Sequence, residues 1–85
     1  MKNLIYEGDA TSHGGTVLTG SHRITVKGRR AARIGDTVSC PLHGDNLIIE
    51  GSQRIKDGTT PLARDGDHTE CGAYLIASSS GASVR

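Results

Sequence analysis

Gly35-Asp36-Thr37-Val38-Ser39-Cys40-Pro41-Leu42-His43-Gly44 is the stretch from which the rest of the chain can be read. It opens on Gly-Asp, and the same dipeptide recurs as Gly8-Asp9 and Gly66-Asp67. Four residues after each Asp stands a soft metal-ligand type: His13, Cys40 and Cys71. With only two cysteines and four histidines in 85 residues, this coincidence points to three copies of one small unit, each directing a ligand at a common centre.

Counting outward supports the repeat. Gly20 to Asp36 is 16 positions, and Gly51 to Asp67 is again 16. Ala32-Arg33 and Ala63-Arg64 fall at the same place within those intervals. Val17-Leu18 lie eight and nine residues after Asp9, and Leu75-Ile76 eight and nine after Asp67. In the middle unit the corresponding strand, Leu47-Ile48-Ile49-Glu50, arrives four residues late, so Pro41-Leu42-His43-Gly44 reads as an insertion. Repeats of this kind imply stacked or symmetric units that share one core.

Glycine, 12 of 85 residues, cuts the chain into short runs, and no stretch carries apolar residues at helical spacing for three turns. The expected fold class is therefore all-β, built of short strands and turns. Strands are expected at Leu4-Ile5-Tyr6, Thr16 to Thr19, Arg23 to Val26, Leu47 to Glu50, Gln53 to Lys56 and Tyr74 to Ala77. Lys27-Gly28 and Asp57-Gly58 read as turns, and the tail from Ser78 to Arg85 carries no strand signal. The segments 8–15, 36–46 and 67–73 read as loops, in which Gly supplies unusual dihedrals and Asp or Ser bonds the local backbone.

The bulk composition asks for a staple or a partner. Only 34% of residues are hydrophobic, Trp and Phe are missing, and Tyr6 and Tyr74 are the only aromatics. So thin a core in so short a chain usually needs a metal, a disulfide or a partner surface. The net charge of +1 and the short basic cluster Lys27, Arg29, Arg30, Arg33, with no interleaved aromatics, speak against nucleic acid as a partner. No apolar run is long enough for a transmembrane segment, and the N-terminus has no secretory h-region. Synthesis in the cytoplasm follows, with any export by another route. Two cysteines in a reducing compartment favour metal or thiol chemistry, with a Cys40–Cys71 disulfide as the alternative.

Five ligand candidates stand in the Gly-Asp loops: His13, Cys40, His43, His68 and Cys71. Cys40-x-x-His43 and His68-x-x-Cys71 each let one loop supply two ligands, and a tetrahedral zinc takes four of Cys and His type. Cys40 and His68 compete for the last position, and the repeat register favours Cys40. His22, outside these loops, reads as a solvated surface residue. More candidates than positions suggests a closed, structural site rather than a catalytic one. Ser12, Ser39 and Thr11 near His13 lack a third orienting group, and the Gly-Asp aspartates read as turn formers. No phosphate loop, nucleophile elbow or His-Glu-x-x-His is present, so no catalytic residue is expected.

Gly-Asp-x-x-Ser-His-Gly-Gly at 8–15, Gly-Asp-x-x-Ser-Cys-Pro-x-His-Gly at 35–44 and Gly-Asp-x-x-x-Cys-Gly-Ala at 66–73 resemble the PAAR-repeat family. Arg30-Ala31-Ala32-Arg33 and Pro61-Leu62-Ala63-Arg64 look like its Pro-Ala-Ala-Arg motif, with Arg for Pro in the first and Leu for Ala in the second. The resemblance runs from about Asn3 to Val84. It implies a small cone of short β-strands and loops with threefold pseudo-symmetry. Such a cone caps the trimeric valine-glycine repeat spike of a type VI secretion system, one cone per trimer. It also implies a structural zinc near the apex, usually on three His and one Cys, a count that taking His68 in place of one cysteine would restore. On this resemblance the chain is a single repeat domain over 1–85 without a fused effector. It leaves the cell with the spike, and a separate effector or adaptor is a further partner. The alternative is a small zinc-stabilised adaptor that binds another protein outside secretion through its Lys27–Arg33 face.

Overall fold

The computed structural model describes residues 2–26, 28–77 and 83–84. Among the described residues there is no helix. Within the described residues ten two-residue strands pair antiparallel two by two, and seven isolated bridges join them into an all-β fold. The strands are β1 (Lys2–Asn3), β2 (Ala10–Thr11), β3 (Thr25–Val26), β4 (Arg29–Arg30), β5 (Thr37–Val38), β6 (Asn46–Leu47), β7 (Lys56–Asp57), β8 (Thr60–Pro61), β9 (Leu75–Ile76) and β10 (Ser83–Val84).

The shortness of the strands has a local cause. The glycine of each Gly-Asp dipeptide sits at positive φ (91° at Gly8, 91° at Gly35, 89° at Gly66), a conformation other residues adopt only under strain. Each following Asp then closes a reciprocal turn. Its N–H donates to the carbonyl three residues back, and its carboxylate accepts that residue's N–H, on Tyr6, Arg33 and Arg64 in turn. The aspartates are buried, as their role as turn formers requires. Arg33 and Arg64 add their guanidinium groups to the same carboxylates, at 3.1 Å and 3.2 Å. The first unit has Tyr6 where the others have Arg, and Arg29 reaches across to pair with Asp9, its guanidinium 5.7 Å above the Tyr6 ring.

The three units are joined in a cycle. Ile5 N–H donates to Ala63 C=O (3.1 Å), Ala63 N–H to Ala32 C=O (2.8 Å) and Ala32 N–H to Ile5 C=O (2.8 Å). A second set runs around the units in the opposite sense, from donors two residues after each of these to acceptors two residues before them: Glu7 N–H to Arg30 C=O, Ile34 N–H to Pro61 C=O and Asp65 N–H to Asn3 C=O. Between them lie the bridges Tyr6–Ala31, Arg33–Leu62 and Leu4–Arg64. The core follows the same arrangement. Ile5, Ala32 and Ala63 pack with Val17, Ile48, Leu75 and Val38; Leu4, Tyr6, Ala31 and Leu62 form a second cluster. Gly20 and Gly51 occupy one repeat position and press against the chain before the next Gly-Asp. A Cβ on Gly51 would lie 2.9 Å from the Leu62 carbonyl, and one on Gly20 would lie 2.8 Å from the Arg30 Cβ.

Two hairpins, β3–β4 and β7–β8, occupy matching positions, and β1 with β10 makes the third such pair. Ser83 and Val84 are thus paired although their sequence carries no strand signal; the rest of the 78–85 tail lies outside the described residues. The second hairpin turns at Gly58-Thr59, one residue later than Asp57-Gly58, because Asp57 is held in the ladder opposite Thr60. Asp57 also gathers Ser21, Arg23 and Arg33, and its carboxyl is held below the ordinary carboxylate range, foremost by the Ser21 hydroxyl at 2.6 Å.

The Gly-Asp segments are corrected in one respect: their first halves are extended and paired rather than looped. β2 pairs β9, Val38 bridges Val17 and Thr69 bridges Ile48. Each unit's opening segment thereby meets the exit strand of the unit before it, a long-range pairing that local turn signals do not reveal. The insertion at Pro41 to Gly44 is a solvent-exposed turn, as its four-residue excess predicts.

Replacing Asp67 with Ala strips the acceptor from both the Arg64 N–H and its guanidinium in a buried corner. It should lower the unfolding free energy by about 3 kcal/mol, read from denaturant midpoints. A loss under about 0.5 kcal/mol would mean that the corner is held otherwise.

Candidate metal centre

The residues four positions after each Asp converge. Cys40 Sγ and Cys71 Sγ each lie 3.6 Å from His13 Nδ1, and the three donor atoms fall within 4.8 Å of one another. Cys40 is buried, His13 and Cys71 are half-buried, and both thiols are free.

What holds the three side chains in place is the residue just before each. Ser12, Ser39 and Glu70 stand at one repeat position. The N–H of each donates to a carbonyl of the neighbouring unit's strand: Tyr74 (2.9 Å), Thr16 (2.8 Å) and Leu47 (2.9 Å). The side-chain oxygen of each then accepts the N–H of that same strand residue, at 3.0, 2.9 and 2.8 Å. Ser12 and Ser39, weighed in the sequence as catalytic types, are thus clamps between units, and Glu70 is the third. Thr11, the other residue weighed there, receives the Gly15 N–H at its hydroxyl. The signal for the clamps was in the sequence, since all three stand three residues after an Asp, but Ser and Glu conceal a shared role as acceptors.

The other candidates divide. His43 sits on the exposed Pro41–Gly44 turn, which Gly44 N–H ties back to the Cys40 carbonyl at 2.7 Å. Its ring centroid is 5.5 Å from that of His13, tilted by 49°. His68 lies apart. It bridges Tyr74 through its backbone, and its ring nitrogen meets Glu50 Oε1 at 2.6 Å. One residue after Asp67 on an extended segment, it faces outward. His22 is exposed, as expected, beside a depression of about 550 Å³ lined also by Arg23, Arg33 and Asp57.

The donor set suits a soft or borderline ion. Metal–sulfur bonds of about 2.3 Å and metal–nitrogen bonds of about 2.0–2.1 Å at tetrahedral angles place S and N roughly 3.6 Å apart, the spacing found on both sides of His13. The Cys71 thiol is drawn down to about 6, chiefly by its hydrogen bond with the Thr69 hydroxyl, and further by the Ala73 N–H, Cys40 and His13, against partial desolvation. A thiolate, the ligating form, is therefore available at neutral pH. These groups could hold a metal ion.

A family model described as PAAR motif matches residues 7–77 of the 85. The chain belongs to the PAAR-motif family. No curated protein gives a significant match. Within this fold the motif has a physical reading. Ala32 and Ala63 are members of the hydrogen-bonded cycle, and Arg33 and Arg64 hold the aspartates of their own units. Membership is consistent with a spike-tip protein of a type VI secretion system, a structural family rather than an enzymatic one. Among the described residues no helix is long and apolar enough to cross a membrane.

Because folding lowers the Cys71 pKa, the thiolate's contribution to stability is complete above about 9, shrinks as pH falls and is gone below about 6. Ultraviolet thiolate absorbance of the reduced, metal-free protein should show a transition near 6 that Cys71→Ser removes. Two thiols titrating only in the ordinary cysteine range would contradict the assignment.

Proposed function

We propose that the chain caps and sharpens the blunt tip of the trimeric valine-glycine repeat spike of a type VI secretion system. Residues 1–85 act as one cone-shaped domain whose apex is stiffened by a structural zinc. The observation that carries the apex is the pair of equal 3.6 Å sulfur–nitrogen spacings at His13. The observation that supports the spike is the cycle of pairings among three units, which matches the symmetry of a trimer with a single chain.

In this proposal His13, Cys40 and Cys71 are three of the zinc ligands and His43 is the fourth, brought in from the insertion turn. His68 stays with Glu50. The set is then two His and two Cys, richer in thiolate than the three-to-one count usual in the family. Closing the site ties three Gly-Asp segments at one point, so metal binding energy becomes folding energy in a domain with a thin core. The two-residue pairs β1–β10, β3–β4 and β7–β8 leave strand edges that spike strands can pair. The protein is made in the cytoplasm and leaves the cell with the spike, with a separate effector or adaptor as a further passenger. The adaptor alternative loses two of the four cations of its basic cluster, since Arg29 and Arg33 are engaged with Asp9, Asp36 and Asp57.

Purified protein should carry one zinc per chain by elemental analysis. His13→Ala should lose it, His43→Ala should bind it more weakly, and His68→Ala should keep it. Mixed with a trimeric valine-glycine repeat spike, the chain should give a complex of one chain to three spike chains by native mass spectrometry. A chain without metal would overturn the apex, and a three-to-three complex or none would overturn the cap.

A further inference from the structure

We propose that Cys40 and Cys71 form a modification site: a two-electron oxidant of the peroxide class closes them into an intrachain disulfide, and disulfide and metal are alternative cross-links of the same two loops. The closure rests on the thiol geometry alone; its competition with metal rests on the zinc reading above.

The two sulfurs lie on the same ring nitrogen, each at 3.6 Å, and within 4.8 Å of each other. A disulfide needs about 2.0 Å, so they must close a gap of less than about 3 Å. The two sides differ in freedom. Cys40 is 4% exposed, and its carbonyl accepts the N–H groups of both His43 and Gly44. Cys71 is half-buried, its own N–H makes only a 3.4 Å contact with Asn46, and the turn continues into Gly72, beside which there is open space. Cys71 is thus the thiol that meets an oxidant and swings, and Cys40 the one that waits.

The chemistry balances in two steps. The Cys71 thiolate attacks one peroxide oxygen; the O–O bond breaks, leaving a sulfenic acid on Cys71 and hydroxide that takes up a proton as water. The Cys40 thiolate then attacks Cys71 Sγ; the S–S bond forms, the S–O bond breaks, and the departing hydroxide becomes the second water. Each thiol has given up one electron and one proton. Both thiolate ligands are removed at once, leaving imidazoles alone to face an ion, so oxidation expels the metal while keeping the two loops tied. A bound ion occupies both thiolates and protects them in turn.

The test uses the full chain, stripped of metal and reduced, then freed of reductant and given one equivalent of hydrogen peroxide. Both thiols should be lost together, with the chain still monomeric, lighter by two hydrogens, and yielding a Cys40–Cys71 cross-linked peptide without reduction. In Cys40→Ser a sulfenic acid should be trapped on Cys71. Zinc-loaded protein should oxidise at least about tenfold more slowly and release zinc in step with disulfide. His13→Ala, with its metal affinity lowered, should still form the disulfide. Failure of wild type to bind zinc would sink the metal reading and leave the disulfide arm to be judged by itself. Surviving thiols in the metal-free chain, cross-links only between chains, or full oxidation with zinc retained would overturn the proposal.

Discussion

Three peptide groups meet edge to edge where Ile5, Ala32 and Ala63 hand one hydrogen bond around a closed cycle. Every residue in it is fully buried, so these N–H and C=O groups have no access to water, and each must find its partner in another unit. Any two units alone would leave a donor and an acceptor unpaired in the core, at a cost of about 1–3 kcal/mol each. That constraint explains why strands of only two residues persist: none of them stands by itself, and all are fixed by a junction that is complete only when three segments are present. It also explains the small residues. Three backbones at hydrogen-bonding distance leave room for Ala at two corners, while the third corner, Ile5, carries the one large side chain into the space between Val17, Ile48 and Leu75.

From that junction the geometry is passed outward by the Gly-Asp corner. The buried aspartate locks the residue three positions back, and the glycine before it lets the chain reverse toward the loop tip. The loops are then pinned to one another by Ser12, Ser39 and Glu70, each binding the next strand twice. His13, Cys40 and Cys71 are the residues immediately beyond those clamps. Their convergence is thus a consequence of register: equivalent positions on a closed ring of pairings point to one place. A metal there would act on a scaffold already aligned, which lowers the ordering that binding has to impose.

Much of this was legible in the sequence because repetition multiplies weak signals. One Gly-Asp is a turn; three of them, at matching distances from Ala-Arg and from an apolar pair, disclosed the units, the insertion at Pro41 and the convergent trio. What could not be read was whatever crosses from one unit to another. The pairing of Ala10 and Thr11 with Leu75 and Ile76 spans nearly the whole chain, and nothing local distinguishes Ala10 and Thr11 from a loop. Arg29 serving Asp9 in place of an Arg at position 6 was equally hidden, because the substitute comes from a different unit. His68 looked like a ligand by its spacing to Cys71, yet a single step along an extended segment turns its side chain to the other face, toward Glu50.

The central claim is that three units form one cooperative body through the closed cycle. Amide hydrogen exchange at Ile5, Ala32 and Ala63 in the native protein tests it most directly. The account predicts that the three amides exchange with the same opening free energy, equal to that of global unfolding, and that they fall together when any one unit is destabilised. Exchange of one of them at a distinctly lower cost, with the other two still protected, would show that the units open independently and would contradict it.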